Sequence, residues 1–245
     1  MSRDPLRVPL EDLAPGDRAL GPEASAYVAQ VRRLGPGDRI VLFDPDRAEE
    51  ADAEIVAVGR RAVTVRVGEA RPAALRPARA VTLVQGVGKG DKMDAVVRDA
   101  TELGVTRVVP AICARSVALP PAARAARWRR IAVEAARQCG RGDAPAIEAP
   151  ILFEDALRRA AEGAEARLCL DPGAEAGFSQ GLDGVAAEAA VAFAVGPEGG
   201  LTGDELAAAD RAGFVRVTLG PLVLRTETVC AAVLGALLVA RAPRA

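Results

Sequence analysis

The chain has no histidine and no asparagine, only two lysines, one tryptophan and one tyrosine, and no apolar run near the length of a membrane span. Without imidazole there is no Ser-His nucleophilic triad, and the commonest nitrogen ligand of zinc is missing. The four cysteines, Cys113, Cys139, Cys169 and Cys230, stand far apart with no Cys-x-x-Cys pair. They read as small buried hydrophobes in a reducing compartment rather than as metal ligands or disulfides, and no metal is expected. A membrane helix needs about 20 apolar residues, and the opening MSRDPLRVPL lacks the apolar core of a signal peptide. The expectation is a cytoplasmic protein without a membrane segment. A net charge of −1 gives no bulk attraction for nucleic acid, so any RNA surface must be a local patch.

Half of the 245 residues are hydrophobic, enough for one large core or two small ones. Thirty arginines stand against Lys89 and Lys92, three positions apart. Where arginine is used almost everywhere, that spot calls for a compact ammonium that a planar guanidinium does not replace.

The stretch 191–238 organises the chain. VAFAV (191–195) is a short run of β-formers stopped by Gly196-Pro197, which reads as a buried strand. Gly199-Gly200 follows, and Thr202-Gly203-Asp204-Glu205 has the Thr-x-x-Glu spacing of a capping box. FVRVTL (214–219) alternates, Gly220-Pro221 breaks it, and Thr226 or Thr228 is placed to cap an apolar helix ending near Leu238. Strand, glycine loop and helix start thus occur twice. If the two strands are parallel neighbours, both loops open on the edge where open α/β sheets bind ligands.

Gly196-Pro197-Glu198-Gly199-Gly200, Leu219-Gly220-Pro221 and Leu224-Arg225-Thr226-Glu227-Thr228 resemble the C-terminal signature of the SPOUT class of RNA methyltransferases. More narrowly, the chain is similar to the ribosomal RNA small subunit methyltransferase E family, which methylates N3 of one uridine in 16S ribosomal RNA. The likeness continues through GKGDKMDAVVRDATELGVTRVVPAICARSV (88–117) and RWRRIAVEAARQCGR (127–141). The resemblance implies S-adenosylmethionine as cofactor, with Gly196, Gly199, Gly200, Leu219, Gly220, Leu224 and Thr226 lining its pocket and Leu170 beside them. Arg225 would stabilise the developing uridine anion, and Glu227 or water would take the N3 proton. Lys89, Lys92, Arg115 and Arg141 would hold RNA phosphates, with Glu134 and Gln138 also on the motif. It further implies a deep trefoil knot, a homodimer, and 16S rRNA within the 30S subunit as partner.

Upstream, short strand candidates at 8–10, 38–43, 53–58 and 62–67 are separated by turn signals, with one helix over 21–34. This reads as a small β-barrel, PUA-like by resemblance, over residues 1–72, followed by an α/β domain over 73–245. Arg32, Arg33, Arg39, Arg60 and Arg61 are candidates for an RNA-phosphate face, opposed by an acidic edge of Asp44, Asp46, Glu49, Glu50 and Asp52. The family's histidines give way here to residues 24–27.

After a Pro-rich linker over 68–79, VTLVQ (81–85) reads as a strand, and Asp91 is placed to cap a helix ending at Gly104. Pro121 would open a long helix to Cys139, and RLCLD (167–171) would bring a third loop to the same crevice. Gly86-Val87-Gly88-Lys89-Gly90 is not a Walker loop, because Gly90 stands where Ser or Thr must hold magnesium. A dinucleotide enzyme lacks its GxGxxG after the first α/β strand. The remaining alternatives are a non-catalytic RNA-binding module and a SPOUT enzyme acting on another RNA such as tRNA.

Overall fold

The computed structural model describes residues 5–116 and 123–240. Two compact units emerge: Met1–Arg76 with Val133–Ala144, and Pro77–Ala132 with Pro145–Ala245.

In the first unit a six-stranded sheet runs β1(Leu6–Pro9), β3(Arg39–Asp44), β4(Glu49–Val58), β5(Val63–Val67), β2(Gly16–Ala19), with β6(Arg71–Pro72) paired to β4. Only β1 and β3 are parallel. The alternation in β4 and β5 sends Ala51, Ala53, Ile55, Val63, Val65 and Val67 into the core and leaves Asp52, Glu54 and Arg66 outside. The helix expected over 21–34 is shorter. It runs as α1(Pro22–Ala26) and continues in wide π turns over Tyr27–Val31, burying Val28 and leaving Val31 66% exposed. Ser25 stitches it to the sheet, its hydroxyl donating to Leu20 O and accepting from Val63 N. The acidic edge is not uniformly solvated either. Glu50 is buried between Arg7 and Arg71, and buried Asp44 accepts from the N–H groups of Asp12, Asp46 and Arg47. Burial alone would raise the Asp44 pKa, but those three donors hold it below the ordinary carboxylate value.

Residues 133–144, placed by sequence in the second domain, count with the first unit. Gly142 N donates to Leu75 O and Ala144 N to Pro45 O, and a Cβ on Gly142 would lie 2.0 Å from the Ala73 Cβ. They include the end of α3(Ala123–Cys139); Pro121, expected to open this helix, lies outside the described residues.

The second unit is built on a wholly parallel seven-stranded sheet in the order β10(Ile151–Leu152), β8(Arg107–Ile112), β7(Val81–Gly86), β12(Val191–Val195), β11(Ala166–Leu170), β13(Val215–Val217), with β9(Ala146–Ile147) paired to β8. VAFAV is buried on both sides, as a central parallel strand must be. Val191, Phe193 and Val195 face the core that includes Val96 and Ala100 of α2(Lys92–Glu102) and Cys230, Val233, Leu234 and Leu237 of α6(Thr226–Ala240). The small Ala192 and Ala194 face α4(Phe153–Ala161) and α5(Gly203–Arg211). Large residues on one face and alanines on the other set a close approach on the second side. The strands before the two glycine loops are parallel but not neighbours: β11 lies between β12 and β13. Both loops still leave carboxyl ends of one parallel sheet.

Candidate functional site

The loops meet through close backbone contact. At the end of β7, a Cβ on Gly86 would lie 2.5 Å from Pro197 N and 2.8 Å from Gly196 C, so only glycine lets the β12 loop pass there. Arg115 Nη1 donates to Gly199 O at 2.7 Å, and Gly200 closes the turn with φ 72° and its N–H on Pro197 O. Beyond the turn the capping box forms in full. Thr202 Oγ1 accepts from Glu205 N while Glu205 Oε2 accepts from Thr202 N, and Glu205 Oε1 also takes the N–H of Ala114.

Thr226 is the first residue of α6 rather than its cap. Its hydroxyl donates to Gly196 O at 2.8 Å and accepts from Gln85 Nε2 at 2.9 Å, tying three chain segments at one atom. Asp91 stands at the start of α2 without a side-chain cap bond. Its role as a cap is corrected: the first turn is joined instead by the N–H of Asp94 on the Asp91 carbonyl.

These loops enclose a cavity of about 430 Å³. Of the eight expected pocket residues, Leu170, Gly196, Gly200, Leu219, Leu224 and Thr226 line it, and Gly199 and Gly220 do not. Gly199 lies against the Arg115 side chain, and Gly220, at φ 122°, is folded onto Thr218 Oγ1. Arg225 lines the cavity but Glu227 does not; Glu227 Oε2 is buried without a hydrogen-bond partner. Of the five expected RNA cations, Lys92 is on the wall, and Lys89 and Arg115 are exposed on the adjoining loops. Arg33 and Arg141 belong to the first unit. Arg33 is exposed, whereas Arg141 is buried with its guanidinium on Asp143.

Sequence reasoning gave no role to Asp171, Glu198, Leu222 and Val223, all on the wall. Leu222 and Val223 are 74% and 82% exposed, an apolar pair that sequence alone cannot tell from the end of a strand. Glu198 Oε1 meets Lys92 Nζ at 3.0 Å and Lys89 N at 3.0 Å. Partial burial would raise its pKa, but its own N–H, the Lys92 ammonium and the Lys89 N–H together hold it below the ordinary carboxylate value.

The wall therefore offers leucine and valine surface, peptide groups freed by glycine, two carboxylates and two cations. That set suits an elongated ligand with an apolar ring and charges of both signs.

The crevice lies at the carboxyl ends of the parallel strands of the second unit, and the first unit is a separate small β-rich fold. A family model described as an RNA methyltransferase domain matches residues 76–238, and one described as an RNA methyltransferase PUA domain matches residues 20–68. A ribosomal RNA small subunit methyltransferase E of Mycobacterium bovis is 36% identical over 220 residues, 86% of this chain and 81% of the relative. The crystal structure of such an enzyme from Neisseria gonorrhoeae bound to S-adenosyl methionine superposes with TM-score 0.86 at 30% identity, over 96% of this chain and 97% of that one. A putative methyltransferase from Legionella pneumophila with the bound cofactor SAM gives TM-score 0.86 at 29% identity over 97% and 98%. The chain belongs to the ribosomal RNA small subunit methyltransferase E family.

Proposed function

We propose that the chain transfers a methyl group from S-adenosylmethionine to 16S ribosomal RNA, at N3 of a uridine, acting as a cytoplasmic homodimer on the assembled 30S subunit. The observation that carries this reading is the convergence of the β12 and β13 loops on one cavity with six of the eight expected residues on its wall. Its volume of about 430 Å³ falls within the roughly 300–1,000 Å³ of small-molecule sites. The residues present fit the cofactor. Leu170, Leu219 and Leu224 offer apolar surface to an adenine, and Gly196 and Gly200 bring peptide groups close. The carboxylate of Asp171 on the same wall matches the cofactor's ammonium or sulfonium, while Glu198 and Lys92 are paired with each other.

The cofactor, when bound, supplies an activated methyl group, so the protein's part is to bind, orient and exclude water. Thr226 fixes the Gly196 carbonyl. Arg225, exposed on the cavity wall, supplies the cation that stabilises the uridine anion as the N3 proton leaves. Glu227 stands off the wall, and the proton passes to water. Lys89, Lys92 and Arg115 border the crevice from the exposed side and meet RNA phosphates, while Arg33 offers the first unit a separate phosphate contact. The buried Arg141–Asp143 pair favours a structural part for Arg141. A second copy finds an apolar face on α6, which carries no charge after Glu227 and exposes Ala232, Ala236, Leu238 and Val239. Such a homodimer would set two cofactor loops beside their partners. The trefoil knot belongs to the same reading.

Incubation of the purified protein with labelled methyl donor and, separately, undermethylated 30S subunits, naked 16S RNA and tRNA, followed by nucleoside mass spectrometry, tests it. Label in 3-methyluridine from 30S subunits is the expected outcome. Label in tRNA alone would move the substrate, and binding of RNA without any transfer would make the chain a non-catalytic module. Arg225→Ala should abolish turnover while leaving cofactor affinity near that of the wild type.

A further inference from the structure

The only two lysines of the chain meet at one carboxylate oxygen, which the expected role in holding RNA does not require. Lys92 brings its ammonium and Lys89 its backbone N–H, each 3.0 Å from Glu198 Oε1. A Cβ on Gly88 would stand 2.9 Å from Glu198 Oε2, so the loop after β7 is shaped closely around this side chain. The bond joins residues 109 apart in sequence. It links the loop after β7 to the loop after β12, and both Lys92 and Glu198 line the cavity. On its other flank the same loop is held by Arg115 Nη1 on Gly199 O at 2.7 Å. Residues 196–200 are thus gripped from both sides by cations carried at the start of α2 and in the turn after β8.

We propose that Glu198 is a positioning residue: its bond to Lys92 and to the Lys89 N–H sets the 196–200 loop in the shape that accepts the cofactor. This rests on the reading of the cavity as the S-adenosylmethionine site. A loop freed on one flank populates other shapes, and apparent affinity falls in proportion to the fraction still competent. The pair is partly exposed, with side chains 38% and 28% accessible, so the effect is modest, an affinity loss of about fivefold. The geometry also accounts for lysine at position 92. A compact ammonium reaches one oxygen that is already shared with a backbone N–H, and as a point charge it needs no planar alignment with the carboxylate.

The test is a calorimetric titration of the full-length protein with S-adenosylmethionine, without RNA, for wild type, Glu198→Ala, Glu198→Gln, Lys92→Met and the double variant Glu198→Ala with Lys92→Met. Melting temperatures are measured alongside. Each single truncation should weaken affinity about fivefold, equal to about 1 kcal/mol at 1.4 kcal/mol per tenfold. The double variant should be no weaker than either single one. Glu198→Gln, which still accepts the Lys89 N–H, should fall between, and Lys89→Ala, which keeps that N–H, should match the wild type in cofactor affinity. Melting temperatures should move by less than about 2 °C, because an exposed pair contributes little to global stability. Single variants at wild-type affinity, or a double variant whose loss is the product of the two single losses, would overturn the inference. A wild-type protein that takes up no S-adenosylmethionine would overturn the reading of the cavity, and the inference with it.

Discussion

Thr226→Val is the sharpest structural perturbation of the site, since valine keeps the shape and removes only the hydroxyl. Thr226 is 6% exposed, and Gln85, its donor, is wholly buried. Losing the hydroxyl leaves Gly196 O without its donor at 2.8 Å and one Gln85 N–H without its acceptor at 2.9 Å. Gln85 Nε2 keeps its other bond, to Gly86 O at 3.1 Å, but Gln85 Oε1 has no partner to begin with, so the amide cannot compensate by rotating. Each buried polar group left unpaired costs about 1–3 kcal/mol. Gly196 is only half-buried and recovers part of that through water. A net loss of about 2 kcal/mol follows, which for a chain of this length lowers the melting temperature by about 4–8 °C. Cofactor affinity should fall with it, because the carbonyl set free belongs to the pocket wall. Thr226→Ser should restore both. Thermal melts and calorimetric titration of the three proteins read the result. A Thr226→Val protein that melts and binds like the wild type would show that these bonds do not hold the loop.

Gly86→Ala places a methyl group 2.5 Å from Pro197 N, against backbone that cannot move aside, and should abolish cofactor binding or the fold of the second unit. Gly88→Ala meets only the Glu198 carboxylate and should be milder by both assays. Glu205→Ala removes the reciprocal half of the capping box and the acceptor of Ala114 N. A cap contributes about 1 kcal/mol and an unpaired N–H costs at least as much, so urea titration should show a loss of about 2–3 kcal/mol. Because the Glu198 pKa is held below its ordinary 4.5, its contribution to cofactor affinity is present above that value and is lost only as pH falls through the depressed pKa. Affinity should therefore stay flat from neutral pH down to about pH 5; a decline beginning near pH 6 would contradict the assignment.

Features encoded within a few residues were legible in the sequence. VAFAV ends where Gly196-Pro197 stops it, and Thr202 with Glu205 forms the box its spacing promised. Non-local features were not. Nothing local in two successive units says that β11, from earlier in the chain, slips between β12 and β13. The short β2 reads GDRA, with no alternation to reveal it, and is a strand because β5 pairs with it. The return of residues 133–144 to the first unit depends on Gly142 fitting against Ala73, which no period in the helix announces. At the site, glycine content marked the right loops but not which glycines face inward. Gly199 turns toward Arg115 while Gly200, one residue on, reaches the wall. The charge cluster was half legible: the scarcity of lysine pointed to positions 89 and 92, and the structure supplied the carboxylate between them.

Hydrogen–deuterium exchange of the protein titrated with S-adenosylmethionine tests the central claim most directly, that the loops 196–200 and 219–226 form the two walls of one cofactor site. Amides in both segments should slow together with a single midpoint equal to the calorimetric dissociation constant. Protection of one loop alone, or of neither while the cofactor still binds, would contradict the account.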